Sequence, residues 1–315
     1  MLAASVRSGV VETYHDGAVA VCRADGTVVA STGDLDRPFY LRSAAKPFQA
    51  AISQESGAGL SGVELALVCA SHRGEPAHVA IVESILESAG LSEGDLGCPK
   101  DWPISSAATQ RLLRGGAAAP RRIWHNCSGK HSGFLRACVA AGWPVNTYLD
   151  PEHPLQKRVL AYVSELGRFP AEPVGVDGCG APVLRTNTRA MATLFATLAT
   201  EPSLTEIFTV MHRYPALVSN NGEGDALIAT SIHAAAKGGA QGCLGIAISS
   251  GLGVAVKAWD GDHAATTVAA VAALAAIGAV GDVALTRLAS VAAPAVLGGG
   301  RPVGVMEPRL DLVIA

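Results

Sequence analysis

The 315-residue chain is poor in aromatics, at 5%, and in charge, at 16%, and its 24 Lys and Arg against 27 Asp and Glu leave a formal charge of only -3. Without an excess of positive charge, a nucleic-acid binder that works by neutralising phosphates is not expected. With 49% apolar residues, a disordered polyelectrolyte is excluded and a sizeable core is expected. Residues 1–20 carry Arg7, Glu12, His15 and Asp16 and no long apolar stretch, so no secretory leader is read and the cytoplasm is the expected location. The uncharged run 264–281 is long enough to be tested as a membrane span. It is mostly Ala, Gly and Thr, with Val268, Val271, Leu274 and Ile277 at three-residue intervals, which reads as a buried helix with a narrow packing stripe. Seven cysteines, an odd number without an export signal, argue against a disulfide framework and leave free thiols or metal ligands.

What is present is organised from both ends. Val19, Val21, the turn pair Asp25-Gly26 and Val28 read as a β-hairpin, Cys243 to Ser249 and Gly253 to Trp259 as two further strands, and Pro302 to Ile314 as a strand-like tail. Between them, apolar periodicity predicts helices over 76–89, 104–114, 131–141, 152–166, 187–199 and 203–213, and Ser61 with Glu64 has the capping-box spacing. The expected architecture is a single mixed α/β (α+β) domain over 1–315. A mainly antiparallel sheet lobe comes from about 1–42 and 240–315, with flanking helices and a helical lobe over about 43–239.

Five segments hold residues capable of chemistry. In Arg42-Ser43-Ala44-Ala45-Lys46-Pro47, Pro47 marks a helix start, which puts Ser43 and Lys46 on one face of the first turn. A neutral lysine amine can take the proton of a serine hydroxyl, but its pKa must first fall by about three units through burial or neighbouring positive charge such as Arg42. The same residues also suit a capping serine beside a solvated lysine. Cys69 to Glu75 ends an apolar run in a polar turn and presents Ser71 either to a cleft or as part of a cap before Pro76. Cys127 to Gly133 and Asp177 to Pro182 are small-residue bends with thiols but without a familiar zinc spacing. Lys257, alone in Val254-Ala255-Val256-Lys257-Ala258, sits either at a solvent edge or in a site.

Together these blocks resemble the Rhizobium etli-type, serine-dependent L-asparaginases of the asparaginase II family, whose fold is similar to serine β-lactamases and glutaminases. The matching blocks are Arg42 to Gln49, Ala70 to Glu75, Cys127 to Gly133, Asp177 to Pro182, and Gly251 to Lys257 with Asp260-Gly261. The resemblance implies two catalytic pairs, Ser43 with Lys46 and Ser71 with Lys257. It implies zinc, in a structural or tuning role, on Cys127, Lys130, Cys179 and water, with Cys243 close by. It also implies hydrolysis of L-asparagine through an acyl-enzyme, with Arg42, His131 and Asp177 holding the charged ends of the substrate, and a homodimer. Ala44 stands where relatives commonly have a second serine, and the 214–225 segment lacks the arginine that relatives carry before Asp225.

Two other readings stay open. One is another serine-dependent amidase, a glutaminase or a β-lactam hydrolase, although neither Ser-Asp-Asn nor Lys-Thr-Gly occurs in the chain. The other is a zinc-binding amino-acid sensor without turnover.

Overall fold

A computed structural model describes residues 1–220 and 222–315 and shows helices packed on antiparallel sheet. The hairpin forms as expected: Gly17–Cys22 pairs with Val28–Thr32, and Gly26, at φ +89°, makes the turn that Asp25 stabilises by accepting from Thr27 N at 2.9 Å. The helices Pro76–Ser88, Ser106–Arg114, Ser128–Ala141, Pro154–Gly167, Thr188–Thr200 and Thr205–Arg213 follow the apolar periodicity of the middle of the chain. The Ser61 capping box does not form, because Glu64 reaches across to Arg136 at 3.1 Å instead.

The chain ends build two sheets, where a single one was expected. Six strands run in the order Val313–Ile314, Val28–Thr32, Gly17–Cys22, Gly253–Ala258, Cys243–Ile248, Ala234–Gly239. Four others run Ala295–Gly298, Arg301–Pro308, Ala3–Arg7, Val10–His15. The chain crosses between the sheets at Asp16-Gly17, where Asp16 O accepts from Trp259 N at 2.9 Å and a Cβ on Gly17 would overlap Lys257 O. Alternation in the sequence marks strands but not partners, so this switch was invisible. Ala234–Gly239 also joins the sheet, from within the stretch expected to be helical.

The six-stranded sheet is covered on both faces. Val19, Val21, Leu244, Ile246, Val254 and Val256 pack with Val268, Val271 and Leu274 of the helix His263–Ala276. That helix is the buried one expected from the uncharged run, and among the described residues no helix is long and apolar enough to cross a membrane. The alternate positions Ala20, Cys22, Cys243, Ala247 and Ala255 face the larger core with Phe48 and Phe195. Strand periodicity therefore puts Ala235 and Lys237 on that second face, toward the start of the helix Lys46–Glu55.

Close contact on this face depends on missing side chains. A Cβ on Gly253 would overlap the backbone of Ala192 and Ala196 in the helix Thr188–Thr200, and one on Gly245 would overlap the Phe195 ring. Gly253→Ala is expected to lower stability by about 1–3 kcal/mol, the range for overpacking, as a reduced urea midpoint. An unchanged midpoint would mean that the helix rides higher on the sheet than described.

Candidate active site

Ser43 lies in the 3₁₀ turn Arg42–Ala45, which leads directly into the helix Lys46–Glu55 with Pro47 in its first turn. Arg42 adopts φ +51°, a left-handed conformation that is uncommon for a branched-out side chain, and its Nε donates to Asp177 Oδ1 at 2.7 Å. The turn sits against the end of the edge strand Ala234–Gly239. A Cβ on Gly239 would stand 2.8 Å from Leu41 O and 2.7 Å from Cys243 Sγ, so glycine lets the strand approach the Ser43 turn.

Lys46 is 1% exposed. Its Nζ lies 2.6 Å from Ala70 O and 2.9 Å from Ser71 Oγ. Burial pulls its pKa down, the Cys127 thiolate opposes this, and the positive charges of Lys237 and Lys130 add to the fall, bringing it to about 8. Ser71 is fixed from behind by its own N–H, which donates to Val218 O at 3.2 Å. The next residue, His72, accepts from Gly74 N at 3.1 Å through Nδ1, so its Nε2 carries the proton toward Ser128 Oγ at 2.8 Å. The Glu75–His78 cap of the helix Pro76–Ser88 follows at once, so this segment serves both as a cap and as a wall of the site.

Ser43, Ser71 and Lys237 line a cavity of about 530 Å³ together with Asn126, Asp225 and Gly238. Lys257 does not line it. Its Nζ bonds to Gln241 O at 2.5 Å and Ala258 O at 2.6 Å and lies over the rings of Trp259 and Phe39, so the expected Ser71–Lys257 pair is not formed. Strand alternation gave Lys257 the right face, but it lies two strands away from the edge that meets Ser43. Lys237, 2% exposed and bonded to Gly238 O at 2.9 Å, is the lysine that lines the cavity, while Lys46 meets it only through Ser71. The signal was present in Ala234-Ala235-Ala236-Lys237-Gly238-Gly239, a lone lysine in an apolar run like that around Lys257.

Behind Lys46, the buried residues Cys127, Lys130 and Cys179 come together, with Lys130 Nζ 3.0 Å from Cys179 Sγ. The hydrogen bond from Cys179 holds the Cys127 thiol well below its ordinary pKa against the effect of burial, and Lys46 and Lys130 help. Burial disfavours the Lys130 cation, but the adjacent sulfurs of Cys179 and Cys127 outweigh it and keep its pKa above the ordinary value. His131 is fully buried, and its Nδ1 is 2.6 Å from Tyr148 OH while Nε2 has no partner among the described residues. Its ring thus sits beside the thiols rather than on the cavity wall. Cys243 lies apart from the thiol pair, pointing to Leu41 O at 3.5 Å.

Among the described residues, no cluster of three or more His, Cys, Asp and Glu side chains is placed to bind a metal. A zinc ion here would therefore need the Lys130 amine beside the two thiols. Two soft sulfur donors, a nitrogen and an unpartnered buried imidazole edge suit that ion, provided the lysine gives up its proton on binding.

The L-asparaginase II family matches residues 3–308. No curated protein matches the chain. Among solved structures, the chain is similar to a β-lactamase from Mycobacterium bovis at 16% identity, covering 82% of this chain and 94% of that one with a TM-score of 0.46. It is similar to a probable glutaminase at 18% identity, covering 82% and 85% with a TM-score of 0.42. It is also similar to Mglu in its glutamate form at 16% identity, covering 84% of this chain with a TM-score of 0.45. The chain spans 61%, 64% and 63% of the length of three Mglu structures.

Proposed function

Because the chain belongs to the L-asparaginase II family, a family of amidohydrolases, we propose that it hydrolyses L-asparagine to L-aspartate and ammonia through an acyl-serine intermediate. The observation that carries this reading is the buried Lys46 amine, 2.9 Å from Ser71 Oγ in a cavity that Ser43 also lines. A lysine with a pKa of about 8 is neutral in a useful fraction near neutral pH, and that fraction rises as the pH climbs through this value.

In this reading Ser43 Oγ forms a bond to the side-chain amide carbon of asparagine. Its proton passes to the neutral Lys46 amine through the Ser71 hydroxyl. Lys46 accepts through its lone pair while an N–H stays on Ala70 O. The C–N bond then breaks, and the departing nitrogen takes the proton and leaves as ammonia. Water adds to the ester, the same relay accepts its proton, and aspartate is released as Ser43 recovers its own. The buried Lys237 ammonium and the start of the helix Lys46–Glu55 favour the negative charge that develops on the amide oxygen. Arg42 and Asp177 are ion-paired next to Ser43 but do not line the cavity, so in this reading the pair opens toward it to exchange each other for the substrate's α-carboxylate and α-ammonium.

Cys127, Lys130 and Cys179 would hold zinc, which supplies a fixed positive charge next to Lys46 when bound. The direct Ser71–Lys46 bond also favours a second reading in which Ser71 attacks and Ser43 relays.

Ammonia release from L-asparagine and L-glutamine tests the proposal. Ser43→Ala and Lys237→Met are each expected to lose at least about a hundredfold in kcat on asparagine, whereas Lys257→Met stays within about threefold of the parent. Loss in Lys257→Met with full activity in Lys237→Met would restore the pairing that the sequence suggested. Faster release from glutamine would make the protein a glutaminase, and full turnover by Ser43→Ala would pass the nucleophile's role to Ser71. For the metal, Cys179→Ala is expected to lose zinc on dialysis, read by atomic absorption. Unchanged stoichiometry would reject this ligand set.

A further inference from the structure

The segment that departs from the family's pattern touches both walls of the cavity. Val218, the last residue of the short helix Pro215–Val218, accepts the Ser71 N–H through its carbonyl at 3.2 Å. Seven residues later, Asp225 Oδ2 accepts from Gly238 N at 3.0 Å and from the buried Ser219 hydroxyl at 2.5 Å, while Oδ1 accepts from Ala226 N at 3.1 Å. Gly238 belongs to the outermost strand of the six-stranded sheet, and among the described residues no further strand is hydrogen-bonded along its outer side. Its peptide neighbourhood is gripped twice, by Asp225 at the N–H and by Lys237 Nζ at the carbonyl. Nearby, Arg73, two residues after Ser71, forms an ion pair at 3.0 Å with Glu223, two residues before Asp225.

Resting on the amidohydrolase reading, we infer that Asp225 is a positioning residue: it ties Ser219, next to Val218, to the edge strand and so fixes Lys237 relative to Ser71 and Lys46. Its carboxylate faces the cavity but is occupied by three donors, which leaves it poorly placed to receive the substrate's ammonium group. The arginine absent from this segment is not needed for the clamp, whose members are all present in the chain. Ser219 and Asp225 hold each other directly, and the two backbone contacts do the rest.

Two measurements on the full-length protein test this: steady-state ammonia release, and amide hydrogen exchange by mass spectrometry over 236–240. Asp225→Ala is expected to lower kcat by about tenfold or more through misplacement of Lys237, with KM within about threefold and faster exchange at Gly238. Asp225→Asn is expected to restore kcat to within about threefold, because its amide oxygen in the Oδ2 position can accept from both Gly238 N and Ser219 Oγ, at the loss of the Ala226 contact alone. A raised KM with kcat retained in Asp225→Ala would overturn the inference in favour of substrate contact, as would an unchanged kcat. If the parent protein releases no ammonia from either amide, the amidohydrolase reading has failed while exchange still decides the clamp. Faster exchange in Asp225→Ala but not in Asp225→Asn supports it, and equal exchange in all three proteins overturns it.

Discussion

An ammonium group without water is the constraint on which the site depends. Lys46 has lost its solvent and received one carbonyl and one hydroxyl in return, with two further buried lysines in the same region. Transferring a cation to such a place is costly unless it is paired or neutralised, and among the described residues no carboxylate is bonded to Lys46. The amine therefore sheds its proton more readily than an ordinary lysine, and the group that results can receive one from a serine. The thiols of Cys127 and Cys179 balance part of the positive charge, mostly that of Lys130. Burial, cation clustering and thiol pairing are three parts of one electrostatic arrangement.

Holding that arrangement in place falls largely to the backbone. The Ser43 turn meets the edge strand only because Gly239 has no side chain, and the sheet meets the helix Thr188–Thr200 only because Gly253 and Gly245 have none. Ser71 and Gly238 are tied through their own N–H groups to Val218 and Asp225 respectively. Small residues account for the low charge and aromatic content noted at the outset: 35 glycines and many alanines let main chain approach main chain across the core. Chemistry-bearing side chains then enter from elements that are already locked.

Much of this was legible in the sequence. Helix periodicity, the Asp25-Gly26 turn and the buried character of 264–281 are local signals, and local physics decided them. Ser43, Lys46 and Ser71 were singled out by residue type and the helix start at Pro47, with catalytic roles implied only by the family resemblance, and the structure sets Lys46 against Ser71 with Ser43 lining the same cavity. What was not legible depended on which strand neighbours which. Lys257 and Lys237 have almost the same surroundings in sequence, and only the order of strands in the sheet puts the second beside Ser43 and sends the first to Gln241. The split into two sheets and the failed Ser61 cap are also non-local: in one case the chain crosses at Gly17, and in the other a distant Arg136 captures Glu64.

Titration of the lysine side chains by NMR, with Lys46 assigned through Lys46→Arg, addresses the neutral-amine claim most directly. A midpoint near 8 that rises when Lys237 is replaced by methionine is the expected result. A midpoint at the ordinary lysine value of 10.5, unaffected by Lys237, would mean that the amine stays charged and cannot act as the base.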